Sequence, residues 1–169
     1  VGGNALTLNT TGDVNVAVGA NALAANTTAS NNVAIGKDAL IANTTGNTNI
    51  AIGTDAMTTN VAGDRNVAVG EQALQNQNPS GNVDMYNVAV GYNAGLSVTT
   101  GIQNTIVGGL AGDAITTGNY NIAVGVGSLS TLSTGAENVA IGVSAMTNST
   151  TCSNNVAVGG QALQECTTC

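Results

Sequence analysis

NNVAIGKDAL, residues 31–40, is a phrase that the chain repeats in slightly altered wording. Asn-(Val/Ile)-Ala-(Val/Ile)-Gly begins at Asn15, Asn32, Asn49, Asn66, Asn87, Asn121, Asn138 and Asn155, and returns at Asn104 as NTIVG. The anchor asparagines are spaced 17, 17, 17, 21, 17, 17, 17 and 17, so one four-residue insertion, within NQNPSGNVDMY (residues 76–86), interrupts a strict period. An enzyme needs its signature once. A structure that builds itself by stacking needs it in every layer.

With each anchor Asn as position 0, glycine stands at position 4 in every copy: Gly2, then Gly19, Gly36, Gly53, Gly70, Gly91, Gly108, Gly125, Gly142 and Gly159. Position 7 is Ala in nine of ten copies, and position 8 is Leu or Met in eight of ten. Positions 12 and 13 are usually Thr-Thr. A unit this short and this rich in Gly, Thr and Val is not a helical hairpin. It reads as a strand on Val-Ala-Val, a glycine corner, a second short strand on Ala-Leu, and a closing turn at Thr-Thr-Gly. Stacked in parallel at about 4.8 Å per layer, ten such coils make a rod of about 48 Å. The expected fold is all-β, a parallel β-solenoid (β-roll) running through residues 1–169 as one segment, an excerpt of a longer chain.

One unit buries too little apolar surface to offset the entropy of ordering it, so stability must come from its neighbours. The anchor column predicts an amide ladder, each Asn side chain bonding to the next coil; the plainer alternative is that Asn simply suits the turn. In GYNAGLSVTTG and GGLAGDAITTG, position 8 becomes Gly95 and Gly112 while position 11 becomes Val98 and Ile115. The large apolar group moves three residues along, which predicts a filled interior.

Val-Ala-Val is apolar on both sides, so an unbroken apolar band must run along the outside of the rod whichever way it faces. The reading favours Val/Ile inward and Ala outward, with Ala allowing close approach of a second copy. A homo-oligomer follows, with three-fold closure expected. Copies docked end to end are a further expectation, since bare terminal strands invite pairing.

Composition excludes other classes. Net charge is −7 and the only cations are Lys37 and Arg65, which argues against nucleic acid and against anionic membrane surfaces. No apolar run approaches the length of a membrane span. Charged residues are 7% of the chain, against about 25% in typical domains. There is no His for a triad or a metal, and no Trp or Phe to stack sugars, so neither an enzyme nor a cofactor is expected. Asp38 and Asp55 share position 6 of adjacent coils, but two carboxylates fall short of a calcium site and read as solvated turn acids. The Thr-Thr column raises an ice-binding solenoid only remotely, because adjacent strand residues point to opposite faces.

Cys152, Cys166 and Cys169 lie together near the end. Cys152 and Cys169 share position 14 of successive coils, about 4.8 Å apart, so a bridge between them is the first expectation. That bridge would imply an oxidising environment and leave Cys166 free or bonded to another subunit. Cys166–Cys169 within ECTTC, or three reduced core thiols, are the alternatives.

The units NVAVGANALAANTTASN (15–31) and NIAIGTDAMTTNVAGDR (49–65) resemble the head repeats of trimeric autotransporter adhesins. They are more similar still to repeats of phage tail fibres and related surface proteins that carry a C-terminal intramolecular chaperone. The resemblance covers essentially the whole chain. It implies left-handed parallel β-rolls in intertwined trimers, an extracellular place on a virion or a cell surface, and a role in displaying a receptor-binding end located elsewhere. The adhesin head, binding its ligand directly, and a self-assembling extracellular filament are the alternatives to the fibre shaft.

Overall fold

The computed structural model describes residues 2–166, and they form a parallel β-solenoid of about eight turns. In chain order the strands are β1 (Val16–Val18), β2 (Val33–Ile35), β3 (Ile50–Ile52), β4 (Gly63–Asp64), β5 (Val67–Val69), β6 (Val83–Asp84), β7 (Val88–Val90), β8 (Thr105–Val107), β9 (Ile122–Val124), β10 (Val139–Ile141) and β11 (Val156–Val158). Nine of them make one sheet in the order β1-β2-β3-β5-β7-β8-β9-β10-β11, every pair parallel. Equivalent letters lie on one another: Val33 on Val16, Ala34 on Ala17, Ile35 on Val18. At about 4.8 Å per rung the sheet is about 38 Å long.

The expected second strand at Ala-Leu is not a strand. Residues 20–25 and their equivalents form consecutive turns, with positions 6 and 8 in the left-handed region, as at Asn21 (φ 57°) and Leu23 (φ 51°). These turns still stack, since the Leu23 N–H donates to the Ala39 carbonyl one coil on at 3.0 Å. A leucine in left-handed backbone is costly. Here the cost is met by burying the side chain in the coil centre and by pairing both neighbouring peptides. Among the described residues the only other sheet is the two-stranded pair β4–β6.

The facing of the strand is also the reverse of the expectation. Alanine points inward: Ala34, Ala51, Ala68, Ala89, Ala123 and Ala140 are fully buried, while Val16, Val18, Ile35, Ile50, Ile122 and Ile141 are among the exposed apolar residues. Volume is the reason. The coil is narrow, and the long side chain of position 8 (Leu23, Leu40, Met57, Leu74) fills most of it, leaving room opposite only for methyl groups.

The exception proves the volume argument. In the coil where position 8 is Gly112 the inward strand residue becomes Ile106, while the Gly95 coil below it keeps Ala89; Ile106 is fully buried together with Val98 and Ile115. A methyl added to Gly95 would lie 3.0 Å from Ile106 Cδ1 and 3.0 Å from Leu74 Cδ2. The shift of the apolar group along the chain thus keeps the interior packed.

The insertion leaves the stack in register. Gln77 still follows Asn60, with its amide 3.5 Å from the Asn60 oxygen. Val83–Asp84 pairs with Gly63–Asp64, and the Asn87 N–H donates to Asn66 Oδ1 at 3.1 Å. Between these points Asn78, Ser80 and Asn82 are exposed while Pro79 is buried.

Candidate functional site

No pocket forms among the described residues, and no three His, Cys, Asp or Glu side chains come together there. No helix is long and apolar enough to cross a membrane. The features with chemical content are ladders along the rod and the outer face of the long sheet.

The anchor asparagines run up one edge of the sheet. From Asn32 to Asn138 their side chains are fully buried, and each Oδ1 accepts the backbone N–H of the next anchor at 2.9–3.1 Å, from Asn15–Asn32 to Asn138–Asn155. Except at Asn66, beside the insertion, whose amide donates to the Asp64 carbonyl (3.0 Å), the same side chain donates Nδ2–H across its own coil to the carbonyl at position 14, as Asn32 does to Gly46 (2.9 Å) and Asn104 does to Gly118 (2.9 Å). One amide therefore joins rungs and closes a circuit. Neutral Asn suits this, because burying a carboxylate here would carry a large desolvation penalty.

A second amide column, at position 11, was not read from the sequence. Asn26 donates to Asn9 Oδ1 (2.7 Å), Asn43 to Asn26 (3.3 Å) and Asn60 to Asn43 (3.3 Å), with Gln77 next. Its signal was present, since position 11 is Asn in the early copies. The column ends where Val98 and Ile115 take over. Asn26 and Asn43 also head glycosylation sequons, yet both are fully buried. At position 12 the threonine hydroxyls donate to the carbonyl one coil on, Thr27 to Thr44 at 3.2 Å and Thr99 to Thr116 at 3.1 Å, so they are committed to the stack.

The corner glycines are required by close approach as well as by backbone angle. Gly19, Gly36, Gly53, Gly70, Gly91, Gly108, Gly125 and Gly142 have φ between 130° and 140°, and a methyl on any of them would run into the carbonyl of the glycine one coil on. Gly159 (φ 126°) would meet only Ala162 Cβ, at 3.8 Å.

The disulfide joins Cys152 to Cys166, with Cα atoms 6.3 Å apart, and not Cys152 to Cys169. Cys169 lies outside the described residues. Position 11 of one coil lies against position 14 of the coil below, so Cys166 meets Cys152 where Asn26 lies against Gly12 lower in the stack.

Asp38 is held by Lys37 Nζ at 2.8 Å and by the Asn21 amide at 2.8 Å. These hydrogen bonds, the Lys37 one first, hold its carboxyl below the usual range. Arg65, the other cation, pairs with Asp84 of the inserted coil and lies over the Tyr86 ring, 5.7 Å from its centroid. Desolvation pushes the Asp113 carboxyl above its usual value, opposed in part by the backbone N–H groups of Asp113 and Ala114.

The outer face carries the remaining signal. Nine strands present two outward positions each, and every one of these is Val or Ile except Thr105. The two rows run the length of the sheet without a charged residue. Comparison with protein-family models, with curated proteins and with solved structures finds no match to this chain.

Proposed function

We propose that this chain is a structural segment of an extracellular fibre shaft, a homotrimer of parallel, left-handed solenoids that holds a surface-binding tip away from the body carrying it. Its work is mechanical rather than catalytic. The observation that supports this reading is the Val/Ile stripe on the outside of the long sheet, broken only at Thr105. Parallel sheets are normally covered on both faces, and here the inner face alone is covered. The stripe exposes on the order of 1,000 Å² of apolar surface, above what monomers usually leave bare and close to one partner's share of a stable interface.

A second copy of the chain supplies the matching surface, because its rungs carry the same side chains at the same spacing. Rods that bring one such stripe each to a common axis close with cyclic symmetry. With Lys37 and Arg65 both engaged by carboxylates, the rod offers no basic patch to nucleic acid. The Cys152–Cys166 bridge suits an oxidising compartment.

Sedimentation equilibrium tests the reading. The expected mass is about three times the 16.4 kDa chain. Ile35→Lys with Ile141→Lys, both on the outer face, should keep the β-sheet circular dichroism and yield monomers. A monodisperse wild-type monomer would overturn the proposal.

A further inference from the structure

We infer that Thr105 sets the axial register between copies of this chain, an inference that rests on the self-association proposed above. A face built from identical rungs has an inherent ambiguity. A neighbouring rod slid by one rung, about 4.8 Å, meets nearly the same surface, so Val/Ile contacts alone discriminate poorly between alignments. Only loss of contact at the ends opposes the slip, and that effect is independent of which rung is which.

Of the outward positions in the nine strands, Thr105 in β8 is the one that is not Val or Ile. It is exposed, and its hydroxyl has no hydrogen-bond partner in the chain among the described residues. The residue after it is Ile106, which replaces the inward Ala, so this coil is marked on the outside as well as in the core. Core packing accounts for Ile106. It does not account for Thr105, which points the other way.

When copies align level with one another, their Thr105 hydroxyls come together and can bond one another at the seam. One rung out of line, each faces the methyls of a partner's Val88 or Ile122 level and is buried without a partner. Burying a hydroxyl unpaired is unfavourable by enough to favour the aligned state about tenfold or more. A single polar residue in an apolar seam fixes coiled-coil register by the same means. Direction is discriminated too. β8 is sixth in the sheet order, so an antiparallel pair with full overlap would set Thr105 against Val67 of β5.

The test uses the full chain with p-benzoylphenylalanine in place of Tyr120, which is about half exposed and precedes the ladder residue Asn121. Mixed light- and heavy-nitrogen chains are irradiated, and inter-chain adducts are mapped by mass spectrometry. Unaltered chains and Thr105→Ser should link to a single level of the partner. Thr105→Val, nearly the same in shape, should spread its adducts in steps of one repeat. Adducts confined to one level in Thr105→Val, or already spread in the unaltered oligomer, would overturn the inference while leaving self-association standing. A monomer on sedimentation with no inter-chain adduct would overturn both.

Discussion

Asn104 Oδ1 accepts the backbone N–H of Asn121 at 3.0 Å while Asn104 Nδ2 donates to the Gly118 carbonyl at 2.9 Å. In the lower half of the rod the equivalent carbonyl has two donors, since Gly63 takes both Asn49 (2.7 Å) and Asn60 (3.0 Å). Above the insertion Ile115 occupies the Asn60 position, and Gly118 depends on Asn104 alone. Asn104→Ala should therefore be the more damaging change, leaving a buried carbonyl and a buried N–H unsatisfied, about 3 kcal/mol or more. Asn49→Ala leaves one such group, about 1–2 kcal/mol. Urea denaturation of the two variants gives the order, and equal losses would contradict the two-donor account.

Gly53 and Gly159 have similar backbone angles but different neighbours. A methyl at Gly53 meets the Gly70 carbonyl, whereas at Gly159 it meets only ordinary contact. Gly53→Ala is expected to cost at least about 4 kcal/mol, and Gly159→Ala about 1–2 kcal/mol from backbone strain alone. Thermal and urea midpoints separate steric from conformational need.

Packing inside the coils is a matter of conserved volume. Ile106→Ala should open a cavity beside Gly95 and Gly112 and cost about 2–5 kcal/mol. The converse change, Ala51→Ile, forces a branched side chain against the buried Leu40 and Met57 layers and should cost about 1–3 kcal/mol. If Ala51→Ile were neutral, the narrow-coil explanation for inward alanine would be wrong.

The Cys152–Cys166 bridge ties the last described coil to the one below it. Reduction, or Cys166→Ser, should lower the opening free energy of that coil by up to about 3 kcal/mol and leave the middle of the rod unchanged. Amide hydrogen exchange resolved along the chain is the measurement. Uniform loss of protection over all coils would show the rod to be one cooperative unit.

Acid should act in opposite directions at two carboxylates. Asp113 has a raised folded-state pKa through desolvation, so between the ordinary aspartate value and the raised one the folded chain holds more protons than the unfolded chain. Its contribution to stability falls as pH rises through that window, and Asp113→Asn should remove this slope. Asp38, held low by Lys37 and Asn21, contributes stability above its ordinary value that is lost as pH falls through its lowered one. Denaturation midpoints across the acidic range, for wild type and each Asn variant, test both signs.

The columns of the repeat were visible because a stacked parallel rod puts identical letters in contact, so packing constraints appear directly as a period. Asn32 over Asn15 and Gly36 over Gly19 are legible in that way. The position-11 amides are less legible, because their column changes from Asn to Val98 and Ile115 halfway along. The disulfide was misassigned for a related reason. Cys152 and Cys169 match in phase, yet the bond follows the side chains that face one another across the coil interior, and these are Cys152 and Cys166.

The sequence by itself determined the rung length, the parallel stacking and the place of the insertion, since all three depend only on which letters recur and how far apart. Which face of Val-Ala-Val looks inward lay beyond it, because both faces are apolar and alternation alone is symmetric between them. Tertiary structure decided that question through volume. Once Leu23, Leu40, Met57 and Leu74 occupy the coil centre, only alanine fits opposite, and the larger Val and Ile side chains are left on the outside, where another chain can reach them.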